Sequence, residues 1–173
     1  RSQILYRMAE MTEGKRAEFV ATFKNVLGWN DETANRAVDE GIDVIVYYAG
    51  WADKYQQVTS SVNPVAGPHH NFTTPDPMGV VGLLCADKFD FAKLMADICG
   101  IIVSGNTVVV LLGKECPAVL APISEVLATS DLPAGVVNLL TGHLLELAGH
   151  FGSHMEIRAI SFQNEDDATY HKI

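Results

Sequence analysis

The sequence predicts an α/β fold in which a parallel sheet, wound β-α-β-α-β-α-β, follows a helical segment and an extended ribbon. Three observations carry this expectation. Apolar residues recur at helical spacing over residues 1–57. Prolines cluster over 58–78, where helix is disfavoured. After Pro77, short apolar runs alternate with segments of helical period.

In the first segment, Ile4, Leu5, Met8 and Met11 fall on one helical face. Gly14 interrupts, and Phe19, Val20, Phe23, Val26 and Leu27 resume the pattern. "GWNDET" (28–33) reads as a stop and a restart: Gly28 suits a C-cap, and Asn30 or Asp31 an N-cap. Val38, Ile42, Ile45 and Ala49 then share a face, with Gly41 a weak point in the helix. Residues 58–78, "VTSSVNPVAGPHHNFTTPDPM", suggest an extended ribbon or edge strands.

From residue 79 the chain reads as a half domain. "GVVGLL" is a strand, and a helix follows from near Phe89 to Gly105. "TVVVLL" is the next strand. "CPAVLAPISEVLATSD" is a helix with Pro117 in its first turn and a kink expected at Pro122. "AGVVNLLTG" is a strand, "HLLELAGHFG" a short helix and "EIRAISF" a strand. Near-continuous apolar strands joined by helices imply a Rossmann-like parallel sheet covered on both faces. No G-x-G-x-x-G follows the first strand. The expected organisation is 1–57, 58–78 and 79–173, packed as one unit of a longer polypeptide, since the chain opens without Met in a helical pattern.

Composition excludes some functions. Apolar residues make up 48% of the 173, enough for a core, and the formal net charge is −9. That acidity argues against nucleic acid or anionic membrane as a partner. No apolar run reaches the length of a membrane span, and no leader pattern opens the chain. Cys85, Cys99 and Cys116 cannot all pair, so reduced thiols in the cytoplasm are expected.

Several quoted runs resemble the aldehyde dehydrogenase superfamily: "YYAGWADK" (47–54), "PMGVVGLL" (77–84), "SGNTVVVL" (104–111), "LPAGVVNLLTG" (132–142) and "SHMEIRAISF" (153–162). Their order and spacing match its amino-terminal half. The resemblance implies helices, an oligomerisation ribbon at about 58–76, and the first half of an NAD-binding domain that lacks the usual glycine fingerprint. It also implies particular site positions. The family carries Pro-Trp-Asn-Phe after the first strand, the Asn serving the oxyanion hole, a task for a fixed donor about 3 Å from the oxyanion. This chain has Ala86-Asp87-Lys88-Phe89, with Lys88 at the Asn position. The ribose-reading Lys of the family is Leu111 here, and the Glu three residues on is Lys114. Thr-Gly-Ser near the pyrophosphate is replaced by Gln163-Asn164-Glu165, followed by Asp166 and Asp167, whose charge would repel phosphate. Gly142 keeps a family position beside the crevice. The family's nucleophilic Cys and general-base Glu fall beyond the stretch that matches.

These substitutions favour an aldehyde dehydrogenase-like module without catalytic residues of its own, most like the truncated second module of family sixteen aldehyde dehydrogenases. Its expected role is assembly or regulation, with no cofactor and with protein as partner through 58–76. One alternative is a fragment of a working enzyme that oxidises aldehydes with NAD or NADP. Another is a pseudoenzyme that binds a nucleotide-like ligand, which Lys114 keeps open. Other features have plainer readings. Cys85 and Cys99 read as packed small hydrophobes. Asp87 and Asp90 read as helix caps. His143, His150 and His154 do not make a metal motif, because Gly152 and Ser153 end the helix between the last two. His69 and His70 read as a solvated or interface pair, and Tyr47, Tyr48 and Trp51 as packing.

Overall fold

The computed structural model describes residues 1–85, 88–113, 117–163, 170, 171 and 173. Its first three helices are α1 (Ser2–Gly14), α2 (Arg16–Leu27) and α3 (Asp31–Thr59). α1 buries Leu5, Met8, Ala9 and Thr12, and the Thr12 hydroxyl returns a hydrogen bond to the Met8 carbonyl at 2.8 Å. α2 buries Phe19 and Phe23, one turn apart, and stops at Gly28 in the left-handed conformation (φ 68°). Val26, expected on the apolar face, is exposed in the last turn. Asn30 caps α3 by accepting the Thr33 N–H at 2.8 Å.

α3 buries Ala34, Val38, Gly41, Ile45 and Ala49, while Ile42 is only partly buried. Gly41 is a seat rather than a weak point. A Cβ there would lie 2.4 Å from the ring of Phe91, so only glycine lets that ring close on the helix. The ribbon follows as two short antiparallel strands, β1 (Ser61–Asn63) and β2 (Asn71–Thr73). The Asn63 amide ties them together by donating to Asn71 and Thr73.

The remaining elements are β3 (Val80–Leu84), α4 (Phe91–Val103), β4 (Thr107–Gly113), a 3₁₀ turn (Pro117–Val119), α5 (Leu120–Thr129), β5 (Val137–Gly142), α6 (Leu144–Ser153) and β6 (Ile157–Phe162). The sheet order is β5-β4-β3-β6, parallel throughout. This is the expected β-α-β-α-β-α-β winding. α4 starts at Phe91 rather than near Phe89, because Asp90 takes the cap and accepts the Lys93 N–H at 2.9 Å. The helix expected from Pro117 is a 3₁₀ turn over Pro117–Val119 and α-helix only beyond it. The α-helix begins only at Leu120, which puts Pro122 in the first turn, where its missing N–H had no helical partner to lose.

Side chains alternate across the sheet as a period of two requires. Leu83, Val108, Val110 and Leu112 join the core built by α1–α5. Leu84 and Leu111 join a smaller cluster with Leu144, Ala148 and Phe151 of α6. The sheet is thus covered on both faces. "SGNT" has a structural task at the opposite end from the crevice. Asn106 accepts the N–H groups of Met78 (2.7 Å) and Gly79 (3.1 Å), so it clamps the entry of β3 to that of β4. Among the described residues no helix is long and apolar enough to cross a membrane.

Candidate functional site

The strands β3, β4 and β6 end together, and their ends define the crevice in which ligands of open α/β sheets bind. Backbone bonds continue the ladder past the strands: Cys85 N–H donates to Leu111 O, and Gln163 N–H to Leu84 O, both at 3.0 Å. The residues expected to matter separate onto two sides of this rim.

On the α6 side lies Leu111, 0% exposed and packed among Leu84, Leu144, Ala148 and Phe151. A leucine there offers no atom that could hydrogen-bond a ribose hydroxyl. Gly142 closes β5 opposite Gly113, and Leu147 of α6 reaches over it. Lys114, like Asp87, Cys116 and the run Asn164 to Asp167, lies outside the described residues.

On the helical side the turn after β3 approaches the α2–α3 junction. Lys88 is exposed there and borders a cavity of about 530 Å³ with Trp29, Arg36, Glu40, Asp90 and Lys93. Phe89 is buried behind the cavity, its ring 5.8 Å from Phe23 and 6.3 Å from Trp29. Lys88 and Leu111 therefore do not meet across one site.

Between the two sides stands a pair that sequence reasoning missed. The Gln163 side-chain amide donates to the Asp97 carboxylate, joining the end of β6 to α4. Burial pushes the Asp97 carboxyl above the usual carboxylate range, while Gln163 and then Lys93 pull it partly back. No local motif marks this pair, because its partners come from distant parts of the chain. The same is true of Trp29 and Arg36, which reach the crevice from the junction that the sequence showed only as a stop and restart.

Cys85 sits at the end of β3. It is buried, and burial above all, helped by the Asp97 charge, pushes its thiol to about 12, with Lys93 opposing. Cys99 is also core, pushed to about 12 by burial. His150 lies in α6 and His154 follows it, where its Nδ1 accepts the Glu156 N–H at 3.2 Å. Among the described residues no cluster of His, Cys, Asp or Glu is arranged to hold a metal ion.

A parallel sheet in the order β5-β4-β3-β6 with helices on both faces defines a Rossmann-like α/β domain. The model of the aldehyde dehydrogenase family matches residues 1–171, and the chain belongs to that family. It is 32% identical over 170 residues to the 1-pyrroline-5-carboxylate dehydrogenase of Bacillus mycoides, covering 96% of this chain and 32% of that enzyme. It superposes on the NAD+ complex of an aldehyde dehydrogenase from Bacillus cereus with TM-score 0.90 and 22% identity, over 99% of this chain and 35% of that one. It superposes on an NAD-dependent benzaldehyde dehydrogenase from Corynebacterium glutamicum with TM-score 0.84 and 25% identity, over 95% and 36%. The chain thus spans about a third of the length of these relatives.

Proposed function

We propose that this chain is an aldehyde dehydrogenase-like module whose cofactor-reading contacts are lost and whose role is assembly or regulation within a larger cytoplasmic protein, akin to the second module of the family sixteen enzymes. The burial of Leu111 carries the reading. The position that the resemblance assigns to a ribose-binding cation is sealed in an apolar cluster. Lys88, in place of an amide, brings a mobile charge to the oxyanion position. The buried, unpaired thiols of Cys85 and Cys99 accord with a reducing compartment. For assembly the ribbon is the natural element. Val62 and Phe72, paired across β1 and β2, are 71% and 63% exposed, and an isolated two-stranded ribbon gains stability by packing on something. The partner is protein, either a second copy or another domain of the same polypeptide.

A second reading is a piece of a working NAD(P)-dependent enzyme that oxidises aldehydes to carboxylic acids. It is favoured by relatives that are named dehydrogenases and of which this chain spans only a third. Calorimetric titration of NAD into the purified chain separates the two. The module reading expects no heat at millimolar cofactor. Saturable binding at micromolar NAD overturns it and makes the enzyme-fragment reading the better one.

A further inference from the structure

We propose that Met78 and Met155 form a modification site, at which hydroperoxides convert both thioethers to sulfoxides in the folded chain while Met8 and Met95 stay reduced. The inference does not depend on how the crevice is read, because the two residues lie at the other end of the sheet. β3 and β6 are parallel neighbours with Val80 opposite Ile157, and Met78 and Met155 each stand just before their strand begins. Their side chains are open to water, Met78 being 58% and Met155 86% exposed. Met8 in α1 and Met95 in α4 are buried in the core, and Met11 packs partly buried against it.

In the reaction, the thioether sulfur attacks the outer oxygen of the hydroperoxide. An S–O bond forms and the O–O bond breaks, and the rest of the peroxide leaves as an alcohol or water after taking up a proton. Sulfur loses two electrons and the peroxide gains them. The product is polar, so its effect depends on where the sulfur stands. At Met8 or Met95 an oxygen would enter the core without a partner. At Met78 and Met155 it enters water. The backbone there is held without the methionine side chains. Asn106 accepts the Met78 and Gly79 N–H groups, and the Thr107 N–H donates to the Gly79 carbonyl at 3.0 Å. On the β6 side the Ile157 N–H donates to the His154 carbonyl at 3.1 Å, and His154 Nδ1 accepts the Glu156 N–H. Oxidation therefore turns two exposed apolar side chains polar and leaves both strand entries in place. The same exposure leaves the sulfoxides open to enzymatic reduction, which makes the change reversible.

The test treats the intact chain with hydrogen peroxide and follows each methionine by peptide mass mapping over time. Met78 and Met155 should each gain one oxygen at least about tenfold faster than Met8 and Met95. The chain oxidised at both should keep its thermal midpoint within about 2 °C, as for an ordinary surface change. In denaturant the preference should vanish, because the fold and not the neighbouring sequence protects Met8 and Met95. The double variant Met78→Leu, Met155→Leu should take up no methionine oxygen over the same time and should melt as the parent does. The proposal is overturned if Met8 or Met95 reacts as fast as Met155 in the folded chain. It is equally overturned if Met78 or Met155 stays reduced, if the preference persists in denaturant, or if the doubly oxidised chain melts well below the parent.

Discussion

The two faces of the sheet are built to different depths. On one, α1–α5 lay down a continuous core in which Phe19, Phe23 and Phe91 contact one another and Leu5, Met8, Val38 and Ile45 close around them. On the other, the ten-residue α6 covers Leu84 and Leu111 with Leu144, Ala148 and Phe151, and leaves Leu140 of β5 45% exposed. The thick face holds most of the buried side chains of this chain and should supply most of its stability. The thin face carries Leu111, the position that the resemblance assigns to cofactor reading.

The largest effect should therefore come from the thick face. Phe23 is fully buried and touches Phe19, Trp29, Phe89 and Phe91. Phe23→Ala removes the centre of that cluster and should cost about 3–5 kcal/mol, read as a lower denaturation midpoint. A loss below about 1 kcal/mol, the scale of an ordinary surface change, would mean that the aromatic cluster does not organise the fold.

On the thin face the effect should be smaller and coupled. A Cβ on Gly82 would stand 2.7 Å from the Phe151 ring, so the glycine in β3 is what lets α6 lie down on the sheet. Gly82→Ala should cost about 1–3 kcal/mol through overpacking. In a Phe151→Ala background the clash is gone, and the same change should cost less by about 0.5–3 kcal/mol. Simple additivity of the two variants would show that α6 is positioned by something other than this contact.

What the sequence made legible follows the same division. The strands, their alternation with helices and the caps at Gly28, Asn30 and Asp90 depend on neighbours in the chain, and each could be read from a few residues. The seats at Gly41 and Gly82 could not. Each glycine looks locally like a weakness and is explained only by a phenylalanine far along the chain. The place of Pro122 in its helix was not legible for a related reason, since a proline breaks a helix or starts one according to where the helix begins. At the crevice, Leu111 was legible as an apolar residue where the resemblance asks for a cation. The Asp97–Gln163 pair and the Trp29 cavity were not, because they are assembled from α4, β6 and the α2–α3 junction. Lys114 and Glu165 lie outside the described residues, so their expected roles rest on the resemblance alone, and the helix cap expected at Asp87 lies outside them too.

The smallest effect concerns the thiols, and it compares the two faces chemically. Cys85 sits at the rim between them, and Cys99 lies within the thick core, yet both are pushed from 9.0 to about 12, mainly by burial. A raised folded-state value means that the folded chain holds these protons where the unfolded chain releases them. The stability linked to them is full below about pH 9 and is lost as the pH rises from there toward 12. At pH 8 both thiols should therefore resist a thiolate-selective reagent in the folded chain and react only on unfolding, with Cys116→Ser used to remove the third thiol from the assay. Cys85 should be the first to yield on partial opening, since the crevice rim is covered by less structure than the helical core. If Cys85 instead reacts at the rate of a free thiol in the native protein, the rim is open in solution, and the argument that this cysteine only fills space fails with it.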